Sequence, residues 1–138
     1  MPAKTHDKGN TAEGTVMAAV LRSGKSVLVP FGGSQRYDLV IEDGNRFLTV
    51  QCKTGRLRDG YVVFNACSSH YHRGHESRDY RGEVDLFGVY CPDNGAVYMV
   101  PVMDASTRKC RLRVEPAKNR QSKGVRLASK YEIARIAQ

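Results

Sequence analysis

The sequence predicts an α/β (α+β) fold, a mixed β-sheet flanked by helices. Three observations predict it. Residues 11–23 place Val16, Met17, Val20 and Leu21 at helical spacing. Between residues 26 and 102, short runs rich in β-branched and aromatic residues alternate with Gly, Pro and Asn turns. Residues 131–137 then return to a helical pattern. The 138 residues fit one domain with a single sizeable core, and 41% hydrophobic with 26% charged residues are globular proportions. No internal repeat or low-complexity stretch interrupts them.

The first helix is expected to start at Asn10 or Thr11, which can cap it, and to stop at Gly24. Glu13 lies three and four residues before Val16 and Met17 and so shares their inward face, where a carboxylate must be paired, hydrogen-bonded or bound to a cation. Complementing the positive helix start is the simpler role for the same side chain. Ser26–Pro30 is expected as a short buried strand, and Gly32-Gly33-Ser34-Gln35-Arg36 as a flexible polar connection.

Tyr37–Glu42 and Arg46–Lys53 flank Asp43-Gly44, a strong hairpin signal. A loop at Asp43-Gly44 sets Asp38 opposite Thr49, whereas a loop at Gly44-Asn45 sets it opposite Gln51. In either register Asp38 shares one sheet face with Thr49, Gln51 and Lys53, because side chains alternate along a strand. A carboxylate, an amide and an ammonium therefore project together. An exposed cross-strand ion pair between Asp38 and Lys53 is the plain alternative, and it would contribute little.

Tyr61–Phe64, Val84–Tyr90 and Ala96–Val102 read as three further strands, the last two joined by the turn Pro92-Asp93-Asn94-Gly95. Ser68–Arg81 is polar and reads as a loop or short helix. Its His70, His72 and His75, with Cys67 nearby, allow zinc binding, although contacts to phosphate or solvent suit them better. The four cysteines form no CxxC pair, so structural zinc is disfavoured and reduced thiols are expected. Cys110–Val114 alternates apolar and basic residues, as in a half-buried strand that presents Arg111 and Arg113 side by side.

Charge sharpens this picture. The net charge is +8, yet residues 1–103 hold 12 basic and 11 acidic side chains, while residues 104–138 hold 10 and three. The last quarter is expected to contact an anionic polymer, with plain solubility as the competing explanation. The polar start and the lack of any apolar run near ~18 residues argue against a signal peptide or membrane span, so a cytoplasmic protein in contact with a nucleic acid is expected.

Asp38, followed after a hairpin by Gln51-Cys52-Lys53 and preceded by the helical Glu13, resembles the PD-(D/E)xK nuclease superfamily. The run Tyr37–Ile41, then Val50-Gln-Cys-Lys-Thr-Gly-Arg56, with Tyr80–Tyr90 and Val97–Val102, resembles its group I intron-associated homing branch, which carries Gln at the second acidic position. Tyr37 stands where the superfamily has Pro. The resemblance implies a restriction-endonuclease-like core and Mg²⁺-dependent hydrolysis of DNA phosphodiesters, with Mn²⁺ able to substitute. It implies Asp38 as principal metal ligand, Gln51 as a neutral oxygen ligand, Glu13 as a third ligand or a holder of water, and Lys53 as the group that positions the attacking water. Gln35, Arg36, Arg56, Arg58, His70, His72, Arg73, Arg111, Arg113 and Arg120 are the expected DNA contacts. The organisation expected is a single nuclease domain, with residues 1–103 as catalytic core and 104–138 as a basic DNA-contacting segment. Duplex cleavage needs two active sites, hence a homodimer or homotetramer on double-stranded DNA. Branched DNA cut by a Holliday-junction resolvase, or an inactive DNA-binding module, are the alternatives.

Overall fold

A computed structural model describes residues 5–68, 78–115 and 124–135. Helix α1 spans Thr5–Arg22, starting earlier than its apolar pattern predicts. Asn10 and Thr11 lie inside it and are not caps. The Thr11 and Thr15 hydroxyls donate back to the Asp7 and Thr11 carbonyls at 2.8 and 2.7 Å, a use that suits threonine within a helix. Asp7 in the first turn complements the helix dipole. At the other end Gly24 takes φ 88°, the left-handed cap anticipated there.

Strands β1 (Ser26–Leu28), β2 (Leu39–Asp43) and β3 (Arg46–Thr54) open the main sheet. β1 is not the buried strand expected: Leu28 is 42% exposed, because β1 forms the sheet's outer edge. The hairpin turns at Gly44-Asn45, since Asp43 pairs with Arg46 and Leu39 with Val50. That register places Asp38 opposite Gln51.

β4 (Arg56–Arg58) and β5 (Tyr61–Asn65) form a second hairpin through Asp59 and Gly60, with φ 51° and 85°. Both values are positive, as a type I′ turn requires. The short β6 (Cys67–Ser68) and β7 (Arg78–Asp79) pair with each other. β8 (Leu86–Cys91) and β9 (Ala96–Pro101) follow, joined by the expected turn. β10 (Lys109–Arg113) pairs with β5, and β11 (Glu132–Arg135) with β9.

The helix expected over residues 131–137 does not form there: β11 is a strand. Its burial alternates, and the Met99 N–H donates to the Tyr131 carbonyl at 2.8 Å. A seven-residue helix is marginal alone, whereas pairing satisfies the open edge of β9. Residues 136–138 lie outside the described part.

The main sheet runs β1-β2-β3-β8-β9-β11 and is antiparallel except between β3 and β8. α1 covers one face, where Val16, Ala19 and Val20 pack on Leu39, Ile41, Val50 and Val97. The small antiparallel sheet β10-β5-β4 covers part of the other, its Val62, Phe64, Cys110 and Leu112 meeting Phe87, Val89 and Tyr98. Cys110 and Leu112 are fully buried, so the basic segment after residue 103 is no appended tail: it completes both sheets. No helix among the described residues is long and apolar enough to cross a membrane.

Gly88 permits the close seating of α1. A Cβ there would lie 2.6 Å from Val16 Cγ1 and 3.1 Å from Val50 Cγ1. Gly88→Ala is expected to destabilise the protein by about 1–3 kcal/mol, as overpacking does. Urea denaturation showing a loss under about 0.5 kcal/mol would mean that α1 shifts at no cost.

Candidate active site

The site forms where the N-terminal half of α1 crosses the start of β2 and the end of β3. Asp38 sits one residue before β2, anchored through both its backbone and its side chain. Its N–H donates to the Val50 carbonyl at 2.8 Å, and its Oδ2 accepts from the Cys52 N–H at 2.8 Å. The carboxylate is therefore fixed against β3 between the positions of Gln51 and Lys53. Gln51 lies on the face of β3 away from α1, as does Lys53 two residues on; Val50 and Cys52 face the helix.

Lys53 is half-buried. Its Nζ donates to the Cys67 carbonyl and the Tyr80 hydroxyl, each at 3.4 Å, and stands 5.0 Å from the Tyr80 ring centroid. These long contacts orient the ammonium without capturing it.

Glu13 comes from α1, half-buried, as its helical spacing predicts. Burial raises its carboxyl pKa, and the charge of Asp38 raises it further. Burial also pushes Asp38 up. The Cys52 N–H and the Lys53 ammonium oppose that but do not cancel it. Two carboxylates that hold protons unusually tightly are short of positive charge, the condition a divalent cation relieves. Cys52 lies in the same field: burial, then Asp38 and Glu13, drive its thiol far up, so it stays protonated and inert.

Among the described residues no three His, Cys, Asp or Glu side chains gather as a ligand group. The oxygen donors at hand are two carboxylates and the Gln51 amide. That set fits Mg²⁺, which takes one or two carboxylates and keeps much of its water.

Other expected contacts fall out differently. Arg56 and Arg58 (on β4) and Arg111 (on β10) are exposed, and they line one groove of about 910 Å³ together with Lys53. Arg113 donates to the Tyr61 hydroxyl at 3.0 Å and to the Glu115 carbonyl. Gln35 is exposed. Arg36, expected as a DNA contact, is committed internally. It pairs with Glu83 at 3.0 Å, donates to the Asp79 and Arg78 carbonyls and the Ser68 hydroxyl, and stacks 3.8 Å over Tyr80. His70, His72, Arg73, His75 and Arg120 lie outside the described residues. All four cysteines are free, as expected.

Tyr80 is a site residue that sequence reasoning misses. It is 4% exposed, meets Phe87 edge-on at 5.5 Å, and links Arg36 to Lys53. Its sequence signal is its place at the head of the Tyr80–Tyr90 run that carries the family resemblance, which assigns it no role.

A hairpin in a mixed sheet that carries Asp, then Gln-x-Lys, under a helical Glu defines a nuclease of the restriction-endonuclease-like fold. The chain belongs to the PD-(D/E)XK endonuclease family, whose pattern matches residues 3–134. It is similar to a bacterial homing endonuclease, I-Ssp6803I, whose solved structure superposes with a TM-score of 0.74 at 26% identity, covering 94% of this chain and 89% of that one. No curated protein matches the sequence significantly.

Proposed function

We propose that residues 1–138 form one nuclease domain, a metal-dependent endonuclease of homing type that hydrolyses phosphodiester bonds in double-stranded DNA. The observation that carries this reading is the meeting of two under-compensated carboxylates, Glu13 and Asp38, with the Lys53 ammonium acting on Asp38 and a register that sets Gln51 opposite Asp38. Such crowding costs stability and is retained where function uses it.

Asp38 and the Gln51 carbonyl oxygen would hold Mg²⁺, or Mn²⁺ in its place, with Glu13 as a third ligand or a holder of water. When bound, the cation supplies Lewis-acid stabilisation of phosphate charge and eases deprotonation of water. Lys53 orients the attacking water and donates to the phosphate oxygens as negative charge builds. Tyr80 and the Cys67 carbonyl hold the ammonium in place for that task. Glu13 and Asp38 must be unprotonated to bind a cation. Their pKa values are raised in the metal-free protein, so protons compete with the cation and metal affinity is expected to fall as pH drops through those values. Because each site cuts one strand, the protein acts as a homodimer or homotetramer on DNA in the cytoplasm.

The test is incubation of a supercoiled plasmid library with randomised inserts and a synthetic four-way junction with the protein and Mg²⁺ or Mn²⁺. Metal-dependent cutting of duplex DNA is expected. Selective cutting of the junction identifies a resolvase. Cutting of neither under either metal overturns the enzyme reading and leaves a DNA-binding module whose site, with Gln51 in place of an acid, is too poor in charge to hold the cation.

A further inference from the structure

The solvent face of the small sheet β10-β5-β4 carries a pattern that phosphate binding alone does not explain. Pairing registers align Arg111 with Val63 and Arg56 in one row across the three strands, Arg113 with Tyr61 and Arg58 in the next, and Lys109 with Asn65 in a third. Side chains of paired residues share a face, and the intervening positions Cys110, Leu112, Val62 and Phe64 point into the core. The outer face therefore holds five cations around a central column of Tyr61, Val63 and Asn65. No acidic residue among the described ones lines the groove that this face shares with Lys53.

Arginines elsewhere in the described residues are largely occupied: Arg36, Arg78, Arg126 and Arg135 all donate within the chain. Arg56, Arg58 and Arg111 are exposed, and no partner within the described residues takes up their guanidinium groups. Asn65 is likewise exposed. A purely electrostatic grip has no use for a half-exposed Val63 at its centre. These side chains match base edges: arginine pairs bidentately with guanine, asparagine with adenine, and an aliphatic group meets the thymine methyl. A major groove about 12 Å wide admits paired β-strands, whereas a minor groove of about 6 Å is narrower than the roughly 10 Å between the two outer strands.

The geometry points to this sheet face as the sequence-reading surface of the nuclease, docked in the major groove of duplex DNA beside the scissile phosphate. The inference rests on the endonuclease reading above and adds to it which residues select the target. Arg56 and Arg111 read guanines from either side of Val63, and Asn65 reads an adjacent adenine. The shared groove with Lys53 places reading and cutting side by side.

The test is selection of randomised duplex DNA by the metal-free protein, compared with Arg56→Lys, Arg111→Lys and Asn65→Ala. Lysine keeps the charge and loses the planar fork. Wild type is expected to enrich a defined motif. Each variant is expected to lose preference at one or two base pairs by about tenfold or more. The two lysine variants should keep the wild-type salt dependence of affinity, because the count of neutralised phosphates does not change. Unchanged motifs in all three variants, or sequence-indifferent binding by wild type, would overturn the inference. Cleavage by wild type with Mg²⁺ of the same randomised duplex pool judges the endonuclease reading separately, since the pool holds every short motif and none need be known beforehand.

Discussion

Asp38→Asn is expected to abolish cleavage and, at neutral pH, to raise the melting temperature of the metal-free protein. Asparagine keeps an oxygen to accept the Cys52 N–H, so the anchor on β3 survives. What disappears is the negative charge. Without it the cation loses its principal ligand, and a loss of several kcal/mol in transition-state stabilisation corresponds to roughly 10³-fold or more in rate. Stability moves the other way. The carboxyls of Asp38 and Glu13 have raised pKa values in the folded chain, so their contribution to stability is full below the usual carboxylate range. It is lost as pH rises through the folded values. At neutral pH the folded wild type therefore carries two strained carboxylates, and the variant carries one, relieved of its neighbour's charge. A gain on the order of a few degrees is expected by thermal melting without metal, shrinking as the pH is lowered. Adding Mg²⁺ should stabilise wild type and leave the variant unmoved. A variant that melts below wild type at pH 7, or that still cuts, would show that Asp38 serves the fold and not the cation.

Lys53→Met should lower the cleavage rate by about 10²–10³-fold, the usual effect of removing one preorganised donor to a charged transition state. Methionine fills the stem's space against Tyr80. It forgoes only two long hydrogen bonds of 3.4 Å, so melting should change little. Affinity for duplex DNA, measured in Ca²⁺ to suppress cutting, should fall by no more than the share of one cation among the several that line the groove. This profile separates a group acting on the reaction from one end of a surface ion pair. Cleavage within tenfold of wild type would assign the chemistry elsewhere. Tyr80→Phe offers a graded companion: it removes the hydroxyl partner of Lys53 but keeps the ring under Arg36. A rate between those of wild type and Lys53→Met marks Tyr80 as a positioning residue.

Much of this architecture is legible in the residues. The hairpin around Gly44 declares itself through two β-rich runs flanking a turn, and strand alternation alone puts Asp38, Gln51 and Lys53 on one face in either register. The helical spacing of Glu13 relative to Val16 and Met17 points it inward. Other features are hidden. The hairpin through Asp59-Gly60 carries the same turn chemistry but joins strands too short to show a period. Residues 131–135 have a helical pattern, and only the unpaired edge of β9 makes them a strand. Arg36 reads as a free cation beside the site, yet Glu83 and Tyr80, more than forty residues away, close around it.

The residues alone settle the chemistry available: which of them carry charge, which strand pair brings three of them to one face, and which family they belong to. Those are consequences of local periodicity and turn geometry, which act over a few residues. How the charge is deployed depends on contacts between distant segments. The +7 of residues 104–138 looks like an appendage because charge counts carry no distances. Folding instead buries the Cys110 and Leu112 side chains of β10 in the core and aligns Lys109, Arg111 and Arg113 with Arg56 and Arg58 across β5. Long-range strand pairing sets that register, and it turns scattered basic residues into one face beside Lys53.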